Sequence, residues 1–260
     1  MREANSVIHP ITGVPQEYRH NCKVSDHKIW KRLFANKLGQ LAQGIRINKC
    51  TDTIHFIPKS KVPFGEKTVT YGKIVCDIKP DKEEHCRTHL TLSGNLLDYT
   101  GNISTPTASV TTAKCLLNSV ISTPKARVLT ADIKHLYLNN HLPEPEYFKP
   151  HISVIPDEII AVYNLQTLQD EKGWCYIKIS KGVYVLKQAG IIAIQEPQKH
   201  MSANSYRPVQ CTPDLWKHDN KNTIFSLVVD DFLLQYSSEM DAEHFLHAFR
   251  QKYTITVDRK

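Results

Sequence analysis

The sequence predicts an α+β fold, and three observations predict it. Residues 223–236, TIFSLVVDDFLLQY, place two apolar arms around the adjacent acids Asp230 and Asp231. That is the pattern of a buried strand, a tight turn and a returning strand. Residues 127–138, RVLTADIKHLYL, alternate: Leu129, Ala131 and Ile133 share one face, and Thr130 and Asp132 share the other. Residues 25–41 and 240–252 instead repeat apolar side chains at three- and four-residue spacing, as amphipathic helices do.

At 260 residues the chain can bury a sizeable core, as one large domain or two subdomains. Hydrophobic residues at 41% and charged residues at 23% are ordinary for a globular protein. A net charge of +7 and a pI near 8.9 suit a polyanionic partner without establishing one. No apolar run approaches a membrane span, and MREANSVIHP lacks an apolar signal core, so the expected location is inside the cell. The seven cysteines, Cys22, Cys50, Cys76, Cys86, Cys115, Cys175 and Cys211, are odd in number, dispersed and without a CxxC pair. They read as free thiols of a reducing compartment.

In chain order, residues 1–24 hold Pro10, Gly13 and Pro15 and read as a lead-in arm. Ser25 or Asp26 can cap a helix whose stripe is Trp30, Leu33, Phe34, Leu38 and Leu41, ending before Gly44. Residues 54–57 suit a short strand. Residues 68–78 and 86–92 read as a hairpin decorated by Lys59, Lys61, Lys67, Lys73, Lys79, Lys82 and Arg87. Such a hairpin can clamp phosphates, or use lysines to keep a solvated edge from aggregating. Ser109 can cap a helix with Val110, Ala113, Leu116, Leu117 and Val120 inward. Four prolines make residues 139–157 an expected irregular connection, followed by a short helix over 157–165 and strands over 174–179 and 182–186. Residues 191–203 are expected to be helical despite Pro197, which costs about 3 kcal/mol in a helix interior. Then come a loop with Pro208 and Pro213, the acidic hairpin, the helix over 240–252 with Phe245, Leu246, Ala248 and Phe249 on its apolar stripe, and a final strand over 253–257.

Two charges at the tip of an apolar hairpin are costly unless something cationic meets them. A divalent metal is one such partner, and oxygen ligands suit Mg²⁺. For a lone Asp-Asp pair a solvated turn is the simpler reading; a third carboxylate on a neighbouring strand reverses the choice, and Asp132 is the candidate. Three blocks in order, ADIKHLYL, KGVYVLKQAG and SLVVDDFLL, resemble the reverse transcriptase domain of LTR retrotransposons, most closely the copia type. FANKLGQLAQGI, TYGKIV, RTHLTLSGN and LLNSVIST are also similar to that group, so the resemblance covers roughly residues 20–260.

The resemblance implies an α+β fingers–palm fold with an antiparallel palm sheet backed by helices and no thumb. It implies a fingers-like region over 25–108 and a palm-like region over 109–260. The implied activity is RNA-directed DNA polymerisation, in which a primer 3′-hydroxyl attacks a nucleotide α-phosphate. Asp132, Asp230 and Asp231 become catalytic ligands of two Mg²⁺ ions, with Mn²⁺ as a substitute. Tyr137 takes the position beneath the incoming sugar, where the bland alternative is core packing. Gln188 becomes a nucleotide or template contact, and Arg87 and Lys79 become triphosphate contacts. Implied partners are an RNA or DNA template with primer, dNTPs, and the thumb and ribonuclease H parts of a retrotransposon polyprotein, with no membrane. The implied location is cytoplasmic retroelement particles, with the nucleus as the alternative.

Departures from the family pattern point to a second reading, a catalytically inactive relic that at most binds nucleic acid. Val185 replaces a glycine, His89 replaces an arginine, Pro197 interrupts a helix, and the chain stops just past the palm. Two further classes are weaker. A nuclease or DDE-type integrase separates its acids, unlike Asp230-Asp231. A zinc protein would need more than His85, Cys86 and His89, or His244 and His247.

Overall fold

The computed structural model describes residues 7–8, 13–23, 27–46, 49–78, 85–97, 99–101, 108–183 and 186–259. It is a mixed α+β structure with several antiparallel sheets. The chain divides into two compact units, Met1–Gly101 with Tyr137–Ala189, and Asn102–Leu136 with Gly190–Lys260. The segment 137–189, which the sequence reading groups with the region after 109, therefore packs with the first unit. No helix among the described residues is long and apolar enough to cross a membrane.

In the first unit a helix, His27–Leu41, buries Trp30, Phe34, Leu38 and Leu41 of the expected stripe, while Leu33 is only half-buried. It packs on the strand Cys86–Leu92, which pairs antiparallel with Gly72–Ile78. A separate four-stranded sheet runs in the order Ile54–Ile57, Tyr176–Lys181, His141–Phe148 and Val69–Thr70, the last pair parallel. The single strand expected over 68–78 is thus split between two sheets, because Val69–Thr70 pairs with Phe148's strand while Gly72 onward turns to Leu92. Gly72 fits this turn-off: a Cβ there would lie 3.0 Å from Leu90 and 3.2 Å from Phe148.

Proline misled the reading of 139–157. His141–Phe148 is a strand despite Pro143 and Pro145, because its register breaks between His141 and Glu146 and the prolines fall in that irregular stretch. Similarly, Tyr206–Val209 is a strand at a sheet edge, where Pro208 leaves no neighbour unpaired. The expected helix over 157–165 is two turns, Asp157–Val162 and Leu165–Leu168, separated by Asn164 at φ 50°.

The second unit is a six-stranded sheet in the order Tyr206–Val209, Thr212–His218, Thr223–Val228, Asp231–Tyr236, Arg127–Ile133 and Ile255–Arg259. Every neighbouring pair is antiparallel. On one face the helix Glu239–Arg250 packs its phenylalanines against Phe225 and Phe232. Phe232 and Phe249 centroids stand 4.2 Å apart, and Phe225 and Phe245 stand 5.0 Å apart. Ser238 caps that helix by accepting from the Asp241 N–H, and Glu239 and Asp241 complement its N-terminal dipole. The other face carries the helix Val110–Ser122, capped by Ser109, whose Ser119 hydroxyl donates to Gln235. Of its expected inward residues Leu116 is buried, whereas Val110 and Leu117 are exposed. The helix Ala189–Ala203 runs through Pro197, leaving one backbone donor missing.

Two histidines of this unit, His218 and His244, pack together beside Lys221 and Asp241. The His218 Nδ1 accepts from the Asn220 and Lys221 N–H groups, which requires that nitrogen to be unprotonated. His244 packs edge-on against it, 5.0 Å away. Burial, then repulsion by Lys221, holds both below the ordinary value of 6.5, while Asp241 opposes. A depressed histidine binds fewer protons folded than unfolded, so stability is complete above about pH 6.5 and declines as pH falls below it. We expect the urea midpoint of the chain to fall between pH 7 and pH 5, and the His244→Gln variant to show a shallower fall. Parallel pH profiles would contradict this.

Candidate active site

The acidic hairpin closes with Val228 opposite Asp231, leaving Val229 and Asp230 as a two-residue loop. Two-residue hairpin loops need positive φ at one or both positions, which usually selects glycine or asparagine. Here Val229 takes φ 59°, a costly conformation for a β-branched residue. The surrounding sheet holds it there: the Asp230 carbonyl accepts from the Ile133 N–H at 2.8 Å, tying the loop to the neighbouring strand.

Register then brings the acids together. Asp231 lies directly opposite Asp132, and Thr256 lies opposite Asp132 on its other side. Directly opposed residues of an antiparallel pair share a face, and like charges so placed destabilise the sheet. Asp132 is half-buried, and its carboxyl is pushed above the usual range, first by burial and then by the Asp230 charge; His135 and Lys134 pull the other way. Asp231, though exposed, is also raised, by local desolvation, then by Asp230 and Asp132. The three carboxylates therefore sense one another across a strand pair and a turn.

Their donor chemistry, hard oxygens on two paired strands and the turn beside them, suits a divalent cation of the Mg²⁺ class. Among the described residues no group of three or more His, Cys, Asp or Glu side chains converges closely enough to hold a metal ion, so side-chain rotation would have to accompany binding.

The other predicted residues belong to the first unit. Tyr137 is half-buried and opens a 3-10 turn, Tyr137–Asn139, five residues after Asp132. Gln188 is buried, at 3% exposure; its Nε2 donates to the Glu146 carboxylate at 2.7 Å, and its carbonyl oxygen has no hydrogen-bond partner among the described residues. Arg87 is half-buried on the hairpin, opposite Asp77. Lys79 and Val185 lie outside the described residues. Part of the basic decoration is already paired, Lys73 with Glu17 at 3.3 Å, Lys67 with Glu144 and Lys59 with Asp170 at 3.9 Å.

Sequence reasoning missed three contributors. Glu146, the buried partner of Gln188, sat in a proline-rich stretch without a periodic signal. Gly182 donates to the Asn140 carbonyl, and a Cβ there would come within 2.7 Å of the Tyr137 carbonyl oxygen. Its place at the head of KGVYVLKQAG was the available hint. The Val229 backbone gave none, since valine is the residue least expected at positive φ.

No protein-family model matches the chain, and none of the curated proteins does. Among solved structures it is similar to apo telomerase from Candida tropicalis truncated from the C-terminal domain, at 14% identity and a TM-score of 0.45. The match covers 90% of this chain and 56% of that one, so the chain spans little more than half of that structure's length. A likeness this distant carries no argument about fold or chemistry.

Two outcomes follow from the loop and the opposed acids. Val229→Gly should stabilise the chain by about 1 kcal/mol, the strain relieved exceeding the added backbone entropy. An acid whose folded pKa is raised loses stability as pH climbs through its ordinary value, 3.8 here, toward the folded one. Asp132→Asn and Asp231→Asn should therefore each gain on the order of 0.5 kcal/mol at pH 7 without divalent cations, and nothing at pH 3. Urea unfolding measures all three.

Proposed function

We propose that this chain is the fingers–palm part of an RNA-directed DNA polymerase similar to copia-type retrotransposon reverse transcriptases. The observation that carries the reading is the direct opposition of Asp132 and Asp231 beside the Asp230 turn, at one end of an antiparallel sheet. Those are the positions that the ordered motifs assign to metal ligands. In this reading Asp132, Asp230 and Asp231 would hold two Mg²⁺ ions, which when bound stabilise the attacking and leaving oxygens of phosphoryl transfer. The chain's own contribution is positioning. The strand pair sets the backbone positions of Asp132 and Asp231 opposite one another, so that side-chain rotation alone would be needed to turn their oxygens to a cation. Tyr137 would support the incoming sugar, Gln188 would meet the nucleotide or template, and Arg87 and Lys79 would meet the triphosphate. RNA or DNA template with primer and dNTPs are the partners, with thumb and ribonuclease H parts supplied by a retrotransposon polyprotein.

One observation favours the second reading, an inactive relic that at most binds nucleic acid. Gln188 is buried and committed to Glu146, so a ligand would reach it only after rearrangement. Primer extension separates the two, using an RNA template, DNA primer, dNTPs and Mg²⁺. The polymerase reading expects product from the parent chain and at least a 100-fold loss in Asp132→Asn and Asp230→Asn, with circular dichroism unchanged. No extension by a folded parent chain would leave the relic reading standing.

A further inference from the structure

The first unit contains a cavity of about 240 Å³ beside the helix His27–Leu41. Its floor is apolar, with Phe34, Phe148 and Ile177 all buried. Its rim is cationic: Arg19, Lys73 and Lys149 face one carboxylate, Glu17, which Lys73 already pairs. Lys149 is the informative residue. It is half-buried, and its ammonium stands 5.4 Å from the Tyr71 ring centroid and 5.3 Å from that of Trp174. Among the described residues no carboxylate lies within ion-pair distance of it.

Two ring faces attract an ammonium but carry no full negative charge to pair with it. An apolar cavity of about 150 Å³ holds benzene, and drug-sized ligands occupy about 300–1,000 Å³. The space here therefore fits one ring system with one small substituent. A cationic ligand would compete with Lys149 for the aromatic faces; a neutral one would leave the ammonium unpaired. We propose that this cavity binds a small planar aromatic molecule bearing a single anionic group, its ring against the Phe34–Phe148 floor and its anion on Lys149. A rigid ring also loses little conformational entropy on entering such a site. This inference is independent of the polymerase reading.

Indole-3-acetate is the probe, with indole and tryptamine as its neutral and cationic counterparts, titrated into the full chain by calorimetry. Indole-3-acetate should bind saturably and at least tenfold more tightly than either counterpart. Lys149→Met, which keeps the apolar stem over the rings, should lose at least tenfold, and Lys149→Arg should stay within threefold of the parent. The proposal is overturned by absence of saturable binding to the folded parent, by equal binding of the three probes, or by a Lys149→Met variant that binds like the parent.

Discussion

Two like charges are held opposite one another by strand register, and much of the second unit serves to hold them. A sheet free to choose would not place Asp231 against Asp132. The choice is made elsewhere, by the apolar residues alternating with those acids. Phe232 and Leu234 must face Ala131 and Leu129 to meet the phenylalanines of the helix Glu239–Arg250. A one-residue slip would turn every one of these side chains to the opposite face, at a cost far above one repulsive pair. Burial of the aromatic cluster therefore dictates the register, and the register dictates the charge apposition. The strained Val229 loop is a consequence of the same constraint, since the strands leave only two residues for the reversal.

A repulsion that is retained needs a use, or it is a defect. The proposed polymerase gives it one: a bound divalent cation would relieve a repulsion that His135 and Lys134 only partly offset. The relic reading treats the same apposition as inheritance. Gln188 bears on the choice from the other unit, because its amide is spent on Glu146 and its carbonyl oxygen is left without a partner among the described residues. A buried polar pair that is only partly satisfied is a poor way to build stability, which is why it draws attention as a site of change on ligand binding.

Much of the architecture was legible in the sequence because hydrophobic periodicity reports it directly. The stripes of Phe34 and Phe249 and the alternation around Leu129 each mark the buried face that the structure has. The acids at 132, 230 and 231 were legible as a set because apolar strands carry carboxylates rarely enough for three to stand out. Failures came where backbone rules outweighed periodicity. Pro143 and Pro145 read as loop, yet a register break absorbs them within a strand, and Pro208 sits at an edge where no neighbour needs its missing N–H. Glu146 was invisible because its importance lies in one long-range contact, with Gln188, and Gly182 was hinted at only by its motif because it matters through the Tyr137 carbonyl. Sequence spacing carries no information about such contacts. The exposed Val110 and Leu117 show the opposite error, an apolar face read as inward that the unit leaves open.

The central claim is that the Asp132–Asp231 apposition is a divalent-cation site, and Mn²⁺ paramagnetic broadening tests it most directly. With the amide resonances assigned, substoichiometric Mn²⁺ should broaden residues 131–133 and 229–232 first and saturably. Excess Mg²⁺ should reverse the effect, and Asp132→Asn should abolish it. Broadening spread evenly over surface acids, or identical in the Asp132→Asn variant, would contradict the account.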